Sequence, residues 1–414
     1  MQLDNNHKTI INNFMDSKRD GSAINQFSSY LGVESGWLSR LLIEIKEIWV
    51  NQGYSVTDIL IRERMPVMLA VNKPHILFES EDESLKDKLQ NLTSTNISEA
   101  VAKLNNSKRE GVSSVENFSF SVEGLGIFRG NYSKDFSKSG LILRYLPFDI
   151  YPLDFMNYPK FYKDMIINLV EDVSIPTPFG IKKTKDVKRA GMILHVGPTG
   201  SGKSTGAASE IGFISENATG TILTYEEPIE QKHEVSLAPV RQFEIGRDIL
   251  ADNPEDLFVE IENHAARNNP SVIQFGELRN KKEIRAGMDM GRKGCMVIAT
   301  IHARDVKEAL TSLLATAKDE EYIVAQTITA IVAHRLITTR KGKIVPLYEI
   351  FIPTNQDREK LRKNELSSVM TSFHGKDNQH RQGITFTDTI AKLAKQGLLE
   401  ADEAEELSLS LKGE

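Results

Sequence analysis

The stretch GMILHVGPTGSGKSTGAASEIGF, residues 191–213, decides the fold. Its first part, MILHV, is an apolar run of strand length, and its last part has the composition of a helix. Between them residues 197–204 spell G-x-x-x-x-G-K-S, the pattern of a loop that wraps phosphate with backbone N–H groups. A glycine-rich turn that arose by chance would lack a strand before it and a helix after it. Gly197, Gly200 and Gly202 free the backbone to curl, with Pro198, Thr199, Ser201 and Thr205 completing the cradle. The helix N-terminus adds a favourable dipole, Lys203 reaches the β and γ oxygens, and Ser204 is placed as a Mg²⁺ ligand. The expected ligand is therefore ATP with Mg²⁺.

Further apolar runs of strand length follow, separated by helix-length segments: TILTYEE (221–227), SVIQFGE (271–277), CMVIATIH (295–302) and KIVPLYEIFIP (343–353). This alternation predicts an α/β domain with a mainly parallel sheet covered on both faces. Ligands of such sheets bind beyond the carboxyl ends of the strands, where three of these runs carry chemistry. Glu226 and Glu227 close one strand, where a carboxylate can activate the water that attacks a γ-phosphate. Glu277 closes another in a position suited to holding Mg²⁺, and His302 closes a third, where an imidazole can sense the γ-phosphate. Taken singly, each would be an ordinary acidic turn or a structural histidine. Their shared location is what raises them.

Upstream, residues 56–79 and 116–148 are short β-rich runs broken by Gly, Pro and Asn, with two charged helical stretches between them. They predict a separate α+β domain over 53–150. Residues 1–52 are expected as a helical extension, whose Leu38, Leu41, Leu42, Ile45 and Ile48 fall near a 3.6-residue period. Residues 151–166, with two prolines among aromatics, read as a linker that packs down. The ATPase domain is expected over 167–354 and a helical region over 355–414.

The chain of 414 residues carries a net charge of −6, which disfavours nucleic acid as a partner. Its one cysteine, Cys295, excludes an intramolecular disulfide and a cysteine-built zinc site; a buried structural thiol in a reducing cytoplasm is the expectation. No segment has the length and apolarity of a membrane span, so the reading is a soluble, cytoplasmic chain that reaches any membrane only through a partner, without insertion.

The order of motifs resembles the secretion-superfamily ATPases, and within them the PilT-like pilus-retraction ATPases. GPTGSGKST resembles that family's Walker A, TYEEPIE its Asp box, FGELRN its Walker B and ATIHA its His box. Residues 56–72 and 124–153 are similar to the start and end of the family's PAS-like N-terminal domain, and residues 383–404 to its closing helices. The resemblance implies a RecA-like P-loop ATPase domain in a homohexameric, Mg²⁺-dependent ATPase motor coupled to type IV pilus retraction, peripheral at the cytoplasmic face of the inner membrane and docked on an inner-membrane platform protein. It assigns Lys203 and Ser204 to phosphate and metal, Glu226 to water activation, Glu277 to the Walker B role and His302 to sensing. Arg129 in FRGNY and Arg144 in LRYLP match arginines that contact nucleotide across the subunit boundary, while Arg358 and Arg362 fall near a retraction-branch motif that they match poorly. The chain departs from the family pattern at Phe243, where an arginine is usual and which Arg241 or Arg247 would have to replace. It departs again at Glu227, at Lys293–Cys295 and at Asp58–Leu60. Three other readings stay open: an ATPase energising pilus assembly or export in a type IV or conjugative secretion system, a P-loop small-molecule kinase, and a nucleotide-gated structural subunit.

Overall fold

The computed structural model describes residues 36–51, 56–71, 75–104, 114–122, 126–135, 138–146, 150–188, 190–233, 236–251, 253, 256–340, 344–375 and 383–413. The chain forms two compact units that divide between Phe148 and Asp149.

Among the described residues the first unit starts with α1 (Trp37–Ile45), followed by strands β1 (Val56–Arg62), β2 (Met68–Val71) and β3 (His75–Leu77). Helices α2 (Glu83–Gln90) and α3 (Ser94–Leu104) follow, then β4 (Val115–Val122), β5 (Gly126–Asp135) and β6 (Lys138–Leu146). The six strands form one antiparallel sheet in the order β3-β2-β1-β6-β5-β4. Asp82 starts α2 by accepting the N–H groups of Ser84 and Leu85, which satisfies two donors a helix end leaves open. The periodic Leu38, Leu41, Leu42 and Ile45 of α1 are buried in one core with Ile59, Ile61, Leu85, Ile97, Leu141 and Leu143. The part of the expected N-terminal extension that is described thus belongs to this unit; residues 1–35 lie outside the described residues.

The second unit begins with a short 3₁₀ turn and α4 (Lys160–Ile167), followed by a hairpin of β7 (Val170–Thr177) and β8 (Gly180–Val187). The hairpin tip is apolar and open to solvent, with Phe179 100% and Ile181 75% exposed. The central sheet is built from β9 (Gly191–Val196), β10 (Ile222–Glu226), β11 (Val240–Glu244), β12 (Val272–Phe275), β13 (Met296–Ile301), β14 (Ile328–Thr338), β15 (Ile344–Phe351) and the two-residue β16 (Gly383–Ile384). Its order is β11-β10-β12-β13-β9-β14-β15-β16, parallel from β11 to β14 and antiparallel beyond.

The helices are α5 (Lys203–Asn217), α6 (Leu257–Asn268), α7 (Lys281–Arg292), α8 (Val306–Thr316), α9 (Tyr322–Thr327), α10 (Asn355–Arg362), α11 (Leu366–His374), α12 (Phe386–Lys395) and α13 (Ala401–Gly413). Strands β9, β10, β12 and β13 are buried along their whole length, which is why they read as unbroken apolar runs. Alternate residues serve two cores, Leu194, Tyr225, Phe275 and Ala299 on one face, Ile193, Ile222, Val272 and Ile298 on the other.

Segment 151–166, expected as a linker, folds into this unit, with Leu153, Met156, Tyr158 and Tyr162 buried against the sheet and α5. The C-terminal region shares the opposite core through Leu361, Phe373, Phe386 and Ile390, and capping boxes at Thr354/Asp357 and Thr385/Asp388 start α10 and α12. Among the described residues no helix is long and apolar enough to cross a membrane.

Candidate active site

Strand β9 delivers the chain into the loop at Gly197, and α5 takes it away from Lys203. Gly197, Gly200 and Gly202 have φ of 150°, 76° and 94°, a region that side-chain-bearing residues rarely enter. At Gly197 space is a second reason, because a Cβ would lie 2.5 Å from the His334 carbonyl oxygen. Gly202 caps α5 without a side-chain hydrogen bond, so the first N–H groups of the helix remain available to an anion. Pro198, Thr199 and Gly200 are exposed at the loop's crest, Ser201 is buried, and Ser204 and Thr205 lie half-buried in the first turn of α5. The Lys203 ammonium donates to the carbonyls of Gly197 at 2.7 Å and Pro198 at 3.0 Å. Burial holds its pKa below the usual lysine value, opposed by the negative charges of Glu277 and Glu230.

Glu226 ends β10 with 6% of its surface exposed. Its Oε1 accepts from the Thr224 hydroxyl at 2.7 Å and from the Gln242 amide at 3.2 Å. Oε2 carries only a long 3.4 Å contact from the Glu230 N–H among the hydrogen bonds described. Burial pushes the carboxyl above the ordinary glutamate pKa, with the hydrogen bonds from Thr224 and Gln242 pulling it part of the way back. Gly276, at the end of β12, packs against it so closely that a Cβ would lie 3.2–3.4 Å from Glu226 Cα, Cβ and Cγ.

The next carboxylates form a linked set. His302 Nε2 lies 2.7 Å from Glu277 Oε1, and Arg279 Nε lies 3.0 Å from Glu277 Oε2. The same guanidinium reaches Glu227 at 2.7 Å. Strand-end chemistry from β10, β12 and β13 therefore converges, as the sequence pattern predicts, with Lys203 electrostatically coupled to Glu277. Arg279 and the two groups that orient Glu226, Thr224 and Gln242, were not singled out in the sequence. Arg279 carried a usable signal, since it stands two residues after Glu277 in FGELRN.

Arg129 and Arg144 belong to the first unit. They are cross-strand neighbours on β5 and β6, and Asp58 on β1 stands next in the same row, so the three share one face of that sheet. Arg144 donates to Asp58 at 3.0 Å. Phe243 sits in an aromatic cluster with Tyr225 and His264, and the Arg241 guanidinium lies 5.3 Å from its ring centroid. Arg241 donates to Asn268, and Arg247 pairs with Glu244 and Asp248. Arg358 donates to the carbonyls of Ala325 and Ile328, a bond that fastens the α9–β14 junction, and Arg362 pairs with Glu359.

The sequence profile described as Type II/IV secretion system protein matches residues 183–406, more than half the chain. The chain belongs to that family. Among curated proteins it is 27% identical to the type IV pilus ATPase PilU of Pseudomonas aeruginosa over 309 residues, which cover 72% of this chain and 74% of the relative. It is 26% identical over 294 residues to the type IV pilus retraction ATPase PilT of the same organism, covering 70% and 77%. Among solved structures, the pilus retraction motor PilT with bound ADP superimposes with a TM-score of 0.66 at 24% identity, over 88% of this chain and 95% of that one. The Legionella pneumophila ATPase DotB gives 0.65 at 22% identity, over 91% and 96%. The chain is a PilT-like ATPase, and its two-unit α/β fold is that of PilT and DotB.

Proposed function

We propose that this ATPase powers retraction of a type IV pilus, as a Mg²⁺-dependent homohexamer at the cytoplasmic face of the inner membrane, working against a membrane platform protein. The observation that carries the reading is the alignment with the pilus ATPase PilU and the retraction ATPase PilT along about seven-tenths of the chain. Coupling to assembly or export is the second outcome that the experiment below separates.

In this reading Lys203 leaves the Gly197 and Pro198 carbonyls to neutralise charge on the β and γ phosphates. Glu226 is the general base. Its raised pKa brings it closer to neutral pH, and with Oε1 held by Thr224 and Gln242, Oε2 is the oxygen that takes the proton of the attacking water. Ser204 and Glu277 supply hydroxyl and carboxylate oxygens, the hard donors that suit Mg²⁺, and would hold it. Among the described residues no group of three or more His, Cys, Asp or Glu could hold a metal, so the remaining ligands would be phosphate oxygens and water. Bound there, the cation would neutralise charge that builds on the phosphates. His302, through Glu277, reports on that region, and Arg129 and Arg144 approach the phosphates from a neighbouring subunit.

The test is a strain whose only copy carries Glu226→Gln. Retraction predicts surplus surface filaments that no longer shorten; a strain that makes no filaments, or fails to export, would support the assembly and export reading.

A further inference from the structure

Beneath the phosphate loop lies a set of buried polar side chains that no step above uses. His195 stands on β9, His334 on β14, Glu210 two turns into α5, and Tyr162 on α4. Tyr162, His195 and Glu210 are 0% exposed and His334 is 1% exposed. His195 Nδ1 lies 2.8 Å from His334 Nε2, His195 Nε2 lies 3.2 Å from Glu210 Oε2, and the Tyr162 hydroxyl donates to Glu210 Oε1 at 2.7 Å. A carboxylate only accepts, so the His195 Nε2–H points at Glu210, and a single proton is shared between the facing nitrogens, His195 Nδ1 and His334 Nε2. Burial, the adjacent His195 ring and the charge of Lys203 all hold the His334 pKa well below the ordinary histidine value, in keeping with a neutral ring.

A buried carboxylate is costly unless donors meet it, so α5 can carry Glu210 here only while β9 and α4 present theirs. The two histidines also pack closely against the start of the loop and the helix that follows it. The His334 carbonyl closes the space at Gly197, and a Cβ at Gly206, one turn after Lys203, would lie 2.5 Å from the Tyr158 hydroxyl, 2.8 Å from His334 Cε1 and 3.2 Å from His195 Nδ1. We infer that Glu210, His195, His334 and Tyr162 form a positioning network for ATP hydrolysis, locking the first turns of α5 against β9, β14 and α4 so that Lys203 is delivered to one place. None of the four touches nucleotide; they act through the loop. The inference rests on the chain's ATPase activity and not on which filament or substrate it moves.

The experiment compares purified full-length wild type, Glu210→Gln, Tyr162→Phe and the double variant. ATP turnover is normalised to the fraction competent to bind a fluorescent ADP analogue, which removes losses due to unfolding. Displacing a reacting group by about an ångström costs up to about a hundredfold, so normalised kcat should fall about tenfold or more in Glu210→Gln while KM for ATP moves less than about threefold. Tyr162→Phe should lose about threefold, and the double variant should be no worse than Glu210→Gln alone, because the two groups share one chain of bonds. Ring ¹⁵N signals of labelled histidine should shift at His195 in Glu210→Gln, where the carboxylate that receives its Nε2–H is gone. Normalised kcat within about twofold of wild type in Glu210→Gln overturns the inference, since the network would then serve stability alone. If that variant does not fold, unchanged normalised kcat in Tyr162→Phe overturns it equally.

Discussion

Thr224→Val removes one hydroxyl and almost nothing else. The residue is wholly buried on β10, and its Oγ1 donates to Glu226 Oε1 at 2.7 Å. Burial raises the Glu226 carboxyl, and the Thr224 bond is the largest influence pulling it back, ahead of Gln242 and the Glu230 N–H. A hydrogen bond to an ionised group contributes about 1.5–3 kcal/mol, so losing it lifts the carboxyl further. Gln242 keeps its 3.2 Å contact, which limits the rise. If Glu226 is the base, the acid limb of the profile of kcat/KM against pH moves upward, while the alkaline plateau survives.

Stability should respond with the opposite slope. A carboxyl whose folded pKa is raised contributes stability that is fully present below the unfolded pKa and is lost as pH rises through the folded value. Raising the folded value further makes the variant's deficit in Tm small in acid and larger toward neutrality. Steady-state phosphate release and thermal melts over the same pH series measure both. Coincident acid limbs in wild type and variant, with the variant folded, would refute the assignment of Glu226 as the base.

Lys203→Ala should abolish turnover and weaken Mg-ATP binding, because it removes the loop's one positive charge for the phosphates; a filter-binding assay beside turnover checks it. Arg279→Gln releases Glu227 and Glu277 from a half-exposed ion pair that contributes about 0–1 kcal/mol, so Tm should hold. The freed Glu277 should lower the Mg²⁺ concentration needed for half-maximal turnover, and an unchanged Mg²⁺ titration would count against Glu277 as a metal ligand. Arg129→Ala should bind ATP yet turn over about 10³-fold or more slowly, if the arginine acts in trans. Mixing it with Lys203→Ala subunits should then restore some activity, and wild-type turnover in Arg129→Ala would eliminate the role.

The legible part of the site was local. Strand, glycine loop and helix follow one another within residues 191–213, and Glu226, Glu277 and His302 each end an apolar run whose chemistry stands beside it in the sequence. Strand β14 was missed because α9 passes into it at Ile328 with no turn residue between them, and an unbroken apolar run has no periodicity that separates strand from buried helix. With β14 went His334 and the buried network. Nothing around His195 or Glu210 distinguishes them either, since their meaning lies in a pairing across 139 residues from His195 to His334 and 48 from Tyr162 to Glu210. The packing of α1 and of residues 151–166 was visible as apolar periodicity or aromatics, but which core each would join is decided only by the tertiary fold.

Cys295, just before β13, donates its thiol toward the Pro270 carbonyl at 3.4 Å and is the chain's only cysteine. One substitution, Cys295→Ser, therefore yields a chain without thiols in which any later cysteine can be labelled alone. The tip of the β7–β8 hairpin is the natural site for it: at Phe179 a dye would face water entirely. A polarity-sensitive fluorophore there would change colour and intensity when the hairpin meets another surface. The purified ATPase would then report directly on what the hairpin meets.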